Sequence, residues 1–100
     1  MEKYVPKEIG EARTLFYTVL DERHLKTENT RHFVNGQFIE EISGLAICKY
    51  DNDPGYYLFG CDENWNSITD TYHDSIEDAK EQAEFEYKNS MTTWTSMVNE

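Results

Sequence analysis

The chain has 100 residues, a formal net charge of −11 at pH 7 and 14% aromatic residues. A chain of this length makes one domain, residues 1–100, and its aromatic content excludes a disordered chain. Nucleic acids and anionic membranes attract lysine and arginine, so the acidic balance argues against both as partners.

The beginning of the sequence carries no targeting signal. Residues 1–8 lack the apolar segment of a signal peptide, and no apolar stretch approaches the roughly 20 residues that span a bilayer. We therefore expect a cytoplasmic protein in which Cys48 and Cys61 are buried and reduced. Residues 1–12 are mostly polar and predict a lead-in segment to the domain.

Two features of the first half predict β-structure. Residues 14–20 are rich in β-branched and aromatic side chains, which favours a strand. The polar residues 21–30 then predict a loop or the frayed ends of two strands. Asn35-Gly36 lies between two short apolar runs in residues 31–40 and predicts a β-hairpin, because both residues accept the positive φ values of a type I′ turn.

The next two segments are apolar on both faces. Residues 44–50 and 56–61 predict central strands, joined by a turn at residues 51–55 that consists of turn-forming residues. One helix can cover only one face of such a pair. The other face needs the N-terminal segment, the C-terminal tail or a second protomer, which is the reason to consider a homodimer.

The pairing register of these strands decides where the cysteines lie. If the turn places Tyr50 opposite Tyr56, Cys48 lies opposite Leu58. Side chains alternate along a strand, so Cys48 and Cys61 are then expected on opposite faces of the sheet, where they cannot form a disulfide.

The last third predicts one strand and one helix. Residues 67–73 alternate in polarity, as a half-exposed strand does. Ser75 is a suitable N-cap for a helix that runs to about residue 88, and residues 89–100 form a tail that packs back. Together the elements predict an α+β fold, an antiparallel meander-like sheet of about five strands with one C-terminal amphipathic helix packed on one face.

The charge imbalance lies in the second half of the chain. Residues 1–50 carry seven basic and eight acidic side chains, whereas residues 51–100 carry two basic and twelve acidic ones. An acidic surface of this kind steers encounter with basic proteins and raises association rates. Enzymes that act on nucleic acid have basic grooves and are therefore the partners that this charge favours.

Three runs in the second half resemble a known family. They are YLFGCDENW at residues 57–65, DTYH at residues 70–73 and EDAKEQAEFEY at residues 77–87. This pattern is similar to that of a family of small acidic bacterial proteins, some of which resemble immunity proteins encoded beside polymorphic toxins. The resemblance implies no catalytic residue and no cofactor.

These observations favour a protein-binding module, in the form of an immunity-type inhibitor of a basic toxin or nuclease. The alternatives are a small-ligand-binding or catalytic domain with a pocket beside the sheet, and a structural homodimer. The candidate partner-binding residues are Asp62, Glu63, Trp65, Asp70, Asp74, Glu77, Glu81 and Glu84. Trp65 suits either a rim residue folded over the core or an exposed binding anchor.

Other constellations favour no metal, cofactor or catalytic centre. The turn at residues 51–55 begins like a calcium loop, but Gly55, Tyr56 and Asp62 occupy the fifth, sixth and twelfth positions, where an EF-hand requires an oxygen ligand, glycine and glutamate. The histidines are scattered rather than paired at metal-ligand spacing, at His24, His32 and His73. No phosphate-binding loop or nucleophile elbow is present.

Overall fold

The computed structural model describes residues 4–27, 29, 32–34, 36–39 and 41–97. It has an α+β fold in which one helix packs against a curled antiparallel sheet of about five strands, as the sequence predicts. The elements in chain order are β1 (Glu8–Ile9), β2 (Ala12–Val19), β3 (Leu25–Lys26), β4 (His32–Val34), β5 (Gln37–Ile39), β6 (Gly44–Lys49), β7 (Tyr56–Cys61), β8 (Ser67–His73), α1 (Ile76–Glu86), β9 (Tyr87–Lys88) and β10 (Thr95–Ser96).

The main sheet has the strand order β1–β2–β6–β7–β8, and β10 also pairs with β2. All of these pairs are antiparallel. The predicted hairpin forms a separate two-stranded sheet of β4 and β5, and its turn residue Asn35 lies outside the described residues. The meander is therefore interrupted once, between β2 and β6.

Both ends of the chain join the main sheet. The segment predicted as a polar lead-in contributes β1, and Ile9 and Ala12 are buried in the core. At the other end, β10 lies along β2 as an extended arm, and the Met97 backbone N–H donates to the Leu15 carbonyl at 2.8 Å.

The register between β6 and β7 differs by one residue from the sequence expectation. Cys48 pairs with Tyr57 rather than with Leu58, because the connection is wider than a five-residue turn. Lys49 Nζ donates to the Asp53 carbonyl at 2.7 Å within this connection. A shift of one residue moves every side chain to the other face, so Cys48 and Cys61 share a face. Both thiols are free.

Two buried clusters lie on opposite sides of the sheet. The cluster beneath α1 consists of Leu45, Ile47, Leu58, Ala79, Ala83 and Tyr87. The opposite cluster consists of Ile9, Ala12, Ala46, Cys48, Phe59, Cys61 and Trp65. The chain itself therefore covers both faces of β6, and the doubly apolar strands do not require a second copy.

The helix begins as the sequence predicts and ends earlier. The Ser75 side chain accepts from the Asp78 backbone N–H at 3.0 Å, and Ala79 and Ala83 have no exposed surface. Tyr87 is extended rather than helical, because β9 pairs with β3. In the described part of the chain, no helix is long and apolar enough to cross a membrane.

Candidate functional site

The eight predicted partner-binding residues do not form one surface. Asp62, Glu63 and Trp65 lie in the connection between β7 and β8, Asp70 lies on β8, and Asp74, Glu77, Glu81 and Glu84 lie just before or on α1. Asp70 pairs with Phe59, whose side chain belongs to the cluster opposite the helix. The carboxylate of Asp70 is therefore on the other side of the sheet from those on α1.

The outer row of α1 consists of Glu77, Glu81 and Phe85, and we call it the acidic helix face. Its members are four residues apart, so they follow one line at intervals of about 6 Å. Glu77 and Glu81 are exposed, and Phe85 is 51% exposed. Within the described ranges, neither glutamate has an ion pair or hydrogen bond. Asp74, also exposed, precedes this row.

The only cation in the sequence of α1 does not neutralise this row. Lys80 Nζ lies 4.3 Å from the centre of the Phe16 ring, on the side of the helix that faces the sheet. The last turn of the helix has no basic residue to complement the helix dipole. Phe85 is not among the partner-binding residues predicted from the sequence, although its spacing from Glu77 and Glu81 indicates the same outer row.

Asp62 uses its carboxylate to hold the turn in which it lies. The carboxylate accepts from the backbone N–H groups of Asn64 and Asn66, both at 2.9 Å, and from Asn66 Nδ2 at 3.1 Å. The Asn66 backbone N–H is the main cause of a lowered Asp62 pKa. The adjacent Glu63 is exposed and lines a cavity described below.

Trp65 is a core residue and does not present a binding surface. It is 2% exposed, and its ring contacts Tyr17 edge-on with 5.8 Å between ring centres. The turn held by Asp62 places Trp65 at φ 64, which turns the indole inward over the sheet. The interpretation of Trp65 as an exposed anchor is therefore wrong, because a local turn conformation places it in the core.

Glu84 also differs from the rest of the predicted surface. Its carboxylate accepts from the backbone N–H groups of Asn89 and Met91, both at 2.9 Å. These bonds close the turn after α1, where Asn89 has φ 78. The Asn89 bond is the main cause of a lowered Glu84 pKa. Glu84 therefore stabilises the start of the C-terminal arm.

Replacing Glu84 by glutamine is expected to lower the free energy of unfolding at pH 7 by about 1–2 kcal/mol, because the amide group is a weaker acceptor for these two donors. A lowered folded-state pKa stabilises the protein above the pKa of the unfolded state, and this stabilisation is lost as the pH falls. Urea unfolding at several pH values should show the difference from the wild type disappearing below about pH 4.

Glu81→Gln is the matched control, since Glu81 lies one turn earlier and has no partner in the described part of the chain. Its unfolding free energy should stay within about 0.5 kcal/mol of the wild type. A difference in unfolding free energy between Glu84→Gln and the wild type that does not shrink as the pH falls below about 4 would contradict the role assigned to the Glu84 carboxylate.

The two cysteine thiols are expected to have low reactivity. Burial raises the pKa of Cys48 and of Cys61 to about 12 each, although the Thr14 hydroxyl lowers that of Cys48 slightly. The thiolate is the reactive form of cysteine. Neither residue is therefore suited to act as a nucleophile in the folded protein.

In a labelling assay with iodoacetamide at pH 8, both native thiols are expected to react on the order of a thousandfold more slowly than in denaturant. Asn52→Cys provides the control, because Asn52 is exposed in the turn between β6 and β7. The added thiol should react at the ordinary rate. Fast labelling of either native cysteine would show that its burial is incomplete in solution.

Two histidines have structural roles. His73 Nδ1 lies 2.8 Å from Asp78 Oδ2 and its Nε2 lies 2.7 Å from Thr71 Oγ1, which ties β8 to the first turn of α1. His24 Nδ1 accepts from the Asp21 backbone N–H at 3.1 Å, so the neutral ring carries its proton on Nε2, 2.9 Å from Thr93 Oγ1. The side chain of His32 lies outside the described residues.

In the turn between β6 and β7, the Asp53 carboxylate forms hydrogen bonds within the turn and with β7. Asp53 accepts from the Gly55 backbone N–H at 3.0 Å and from the Tyr57 hydroxyl at 2.9 Å. The first of these bonds is the main cause of a lowered Asp53 pKa. Among the residues that the structure describes, no group of three or more His, Cys, Asp or Glu side chains is placed to hold a metal ion.

A cavity of about 460 Å³ opens at the end of the sheet where β2 ends, β6 begins and α1 ends. The sequence offered a pocket beside the sheet as an alternative but did not indicate its lining residues, because the walls come from five separate segments. The lining residues are Val19, Leu20, Asp21, His24, Lys26, Glu41, Ile42, Ser43, Glu63 and Tyr87. Of the predicted partner-binding residues, only Glu63 lies there.

Comparisons with protein-family models, with curated proteins and with solved structures found no match to this chain. The acidic helix face and the cavity are therefore the two features of the structure that bear on its function.

Proposed function

We propose that this chain is a small acidic protein-binding module that docks a basic protein on the acidic helix face. The observation that carries the proposal is the row of Glu77, Glu81 and the half-exposed Phe85. Like charges four residues apart destabilise a helix by about 0.2–0.5 kcal/mol. An exposed phenyl ring adds little to the core, and aromatic side chains often dominate binding energy. A basic partner would neutralise the repulsion between the two glutamates and bury the phenyl ring.

The more specific form of the proposal is an immunity-type inhibitor of a basic toxin or nuclease. Enzymes that bind nucleic acid present lysine and arginine to phosphates, so their grooves complement a row of carboxylates. The resemblance to small acidic bacterial proteins favours the same form. The proposal places the protein in the cytoplasm, a reducing compartment in which two buried thiols remain free.

The dimensions of the row define a synthetic ligand for a direct test. Successive members lie about 6 Å apart, and side chains on one face of an extended peptide repeat at nearly the same distance, about 6.6 Å. A fluorescein-labelled ten-residue peptide fits this spacing if one face carries two arginines at alternate positions and a leucine two residues after the second arginine. Fluorescence anisotropy should show binding that weakens at least about tenfold between 50 and 300 mM NaCl.

Two double variants with the same net charge test whether the helix face is the site. Glu77→Gln/Glu81→Gln should weaken peptide binding by about tenfold, whereas Glu11→Gln/Glu22→Gln should leave it within about twofold of the wild type. Glu11 and Glu22 are exposed and lie outside the helix. Equal losses in both variants, or binding that is indifferent to salt, would count against docking on this face.

Phe85→Ala tests the aromatic part of the row separately. Removing the ring should weaken peptide binding by about fivefold while leaving the salt dependence unchanged, because the ring contributes apolar contact and no charge. The inhibitor form of the proposal expects a toxic basic protein to be encoded beside this chain, and co-expression of the two should suppress that toxicity. The Glu77→Gln/Glu81→Gln variant should protect less, and undiminished protection would contradict this form of the proposal.

A further inference from the structure

The cavity at the end of the sheet combines an apolar wall with carboxylates. Val19 ends β2, Leu20 follows it and Ile42 precedes β6. The side chains of Leu20 and Ile42 pack against the cluster beneath α1 and form the apolar wall. Asp21, Glu41 and Glu63 bring three carboxylates to the lining, against one ammonium group from Lys26. A volume of about 460 Å³ is in the range of small-molecule sites.

Some polar groups of the lining already form hydrogen bonds or ion pairs within the protein, and others have no such partner. Both ring nitrogens of His24 are hydrogen-bonded within the protein. Asp21 binds Arg23 Nε at 2.9 and 3.1 Å, and this contact lowers the pKa of Asp21 to about 2. Glu41 and Glu63 are exposed, and neither has an ion pair or hydrogen bond within the described segments. These two carboxylates are available to a ligand.

Tyr87 supplies a second observation that points to an occupant. It is 8% exposed and lines the cavity, yet its hydroxyl has no hydrogen-bond partner among the described residues. The hydroxyl is not sealed from solvent, so it is open to a hydrogen bond with a polar ligand group that enters the cavity. Burial raises the pKa of Tyr87 to about 12, so the phenol stays neutral and can both donate and accept.

We infer that this cavity binds a small organic cation, an alkylammonium or alkylguanidinium group. The alkyl part lies on Leu20 and Ile42, and the charged head lies between Glu41 and Glu63. The same chemistry occurs in a free small amine and in a lysine or arginine side chain of another protein. The inference depends on the cavity alone and is independent of the acidic helix face.

The direct test titrates the full chain with three ligands of nearly equal shape. They are n-butylguanidinium, the neutral n-butylurea and the anionic pentanoate. Calorimetry should show n-butylguanidinium binding at least about tenfold more tightly than the other two, because only it complements the carboxylates. The amide NMR signals of Ser43 and Glu63 should shift. Equal binding of n-butylurea, or shifts confined to α1, would overturn the inference.

Charge-matched variants then locate the site. Glu41→Gln/Glu63→Gln should weaken n-butylguanidinium binding by about tenfold, whereas Glu8→Gln/Glu11→Gln, at the other end of β2, should leave it within about twofold. All four residues are exposed, and an unchanged urea midpoint verifies that each variant is folded. Equal effects of the two double variants would show that the cation follows net charge, which would overturn the site.

A fourth ligand, Nα-acetyl-arginine amide, separates the two sources of the cation. Binding within about threefold of n-butylguanidinium identifies a protein side chain as an acceptable occupant. Exclusion of the blocked amino acid, with n-butylguanidinium still bound, identifies a free small molecule. If neither cation binds at about 10 mM, the inference is wrong.

Discussion

Replacing Trp65 by alanine is expected to lower the free energy of unfolding by about 3–5 kcal/mol. The indole is 2% exposed and packs with Phe59, Cys61 and the edge of Tyr17. Its removal leaves a cavity in the cluster opposite the helix, and the surrounding strands cannot close it without losing their pairing. Urea unfolding followed by far-UV circular dichroism measures the change.

Two further variants define the cause of the Trp65 effect. Phe85→Ala removes an aromatic ring that is 51% exposed and should change the unfolding free energy by less than about 0.5 kcal/mol. Trp65→Phe should lose less than Trp65→Ala, because it keeps an aromatic ring and removes an indole N–H that has no partner in the described structure. A loss from Trp65→Ala no larger than that from Phe85→Ala would show that the indole is not in the core.

Replacing Ile47 by alanine is expected to cost about 2–5 kcal/mol. Ile47 has no exposed surface, and it lies on the central strand β6 in the cluster that includes Ala79 and Ala83 of the helix. The small alanines let the helix approach the sheet closely, so Ile47 fills space that no neighbouring side chain can reach. The loss should be visible as a lower urea midpoint with an unchanged slope.

Ile47→Val and Leu25→Ala are the controls for this second prediction. The valine variant removes one methyl group and should lose about 0.5–1.5 kcal/mol. Leu25 is 57% exposed, and its truncation should stay within about 0.5 kcal/mol of the wild type. A cost of Leu25→Ala equal to that of Ile47→Ala would place the main apolar contacts of this face elsewhere.

Stability and the proposed binding functions involve different residues, so each can be tested without disturbing the other. The exposed positions Glu77, Glu81 and Phe85 contribute to the outer surface of α1, and Glu41 and Glu63 lie at the cavity. Substitutions there should leave the two buried clusters intact. Loss of binding in a variant with an unchanged urea midpoint can therefore be attributed to the site itself.

The sequence indicated those features that depend on neighbouring residues. Ser75 predicted where α1 begins, because its side chain caps the helix. Asn35-Gly36 predicted the hairpin, and the apolar runs at residues 44–50 and 56–61 predicted central strands. These patterns are local because capping, periodicity and turn conformation involve residues only a few positions apart.

The structure was needed where distant residues decide the outcome. The wide connection around Asp53 shifts β6 against β7 by one residue, which places Cys48 and Cys61 on one face. Hydrogen bonds of Asp62 and Glu84 to backbone N–H groups remove them from the group of available carboxylates. The sequence alone does not distinguish Asp62 and Glu84 from Glu81, because all three are acidic residues with polar neighbours.

Composition and local pattern by themselves determined that this chain is acidic and has an antiparallel sheet followed by a helix. Tertiary structure decided that Trp65 is buried, that Phe85 is exposed beside Glu77 and Glu81, and that five segments enclose a cavity. The physical reason is the range of the interactions. Charge and periodicity are properties of the chain, whereas burial and enclosure depend on how strands and loops far apart in sequence meet.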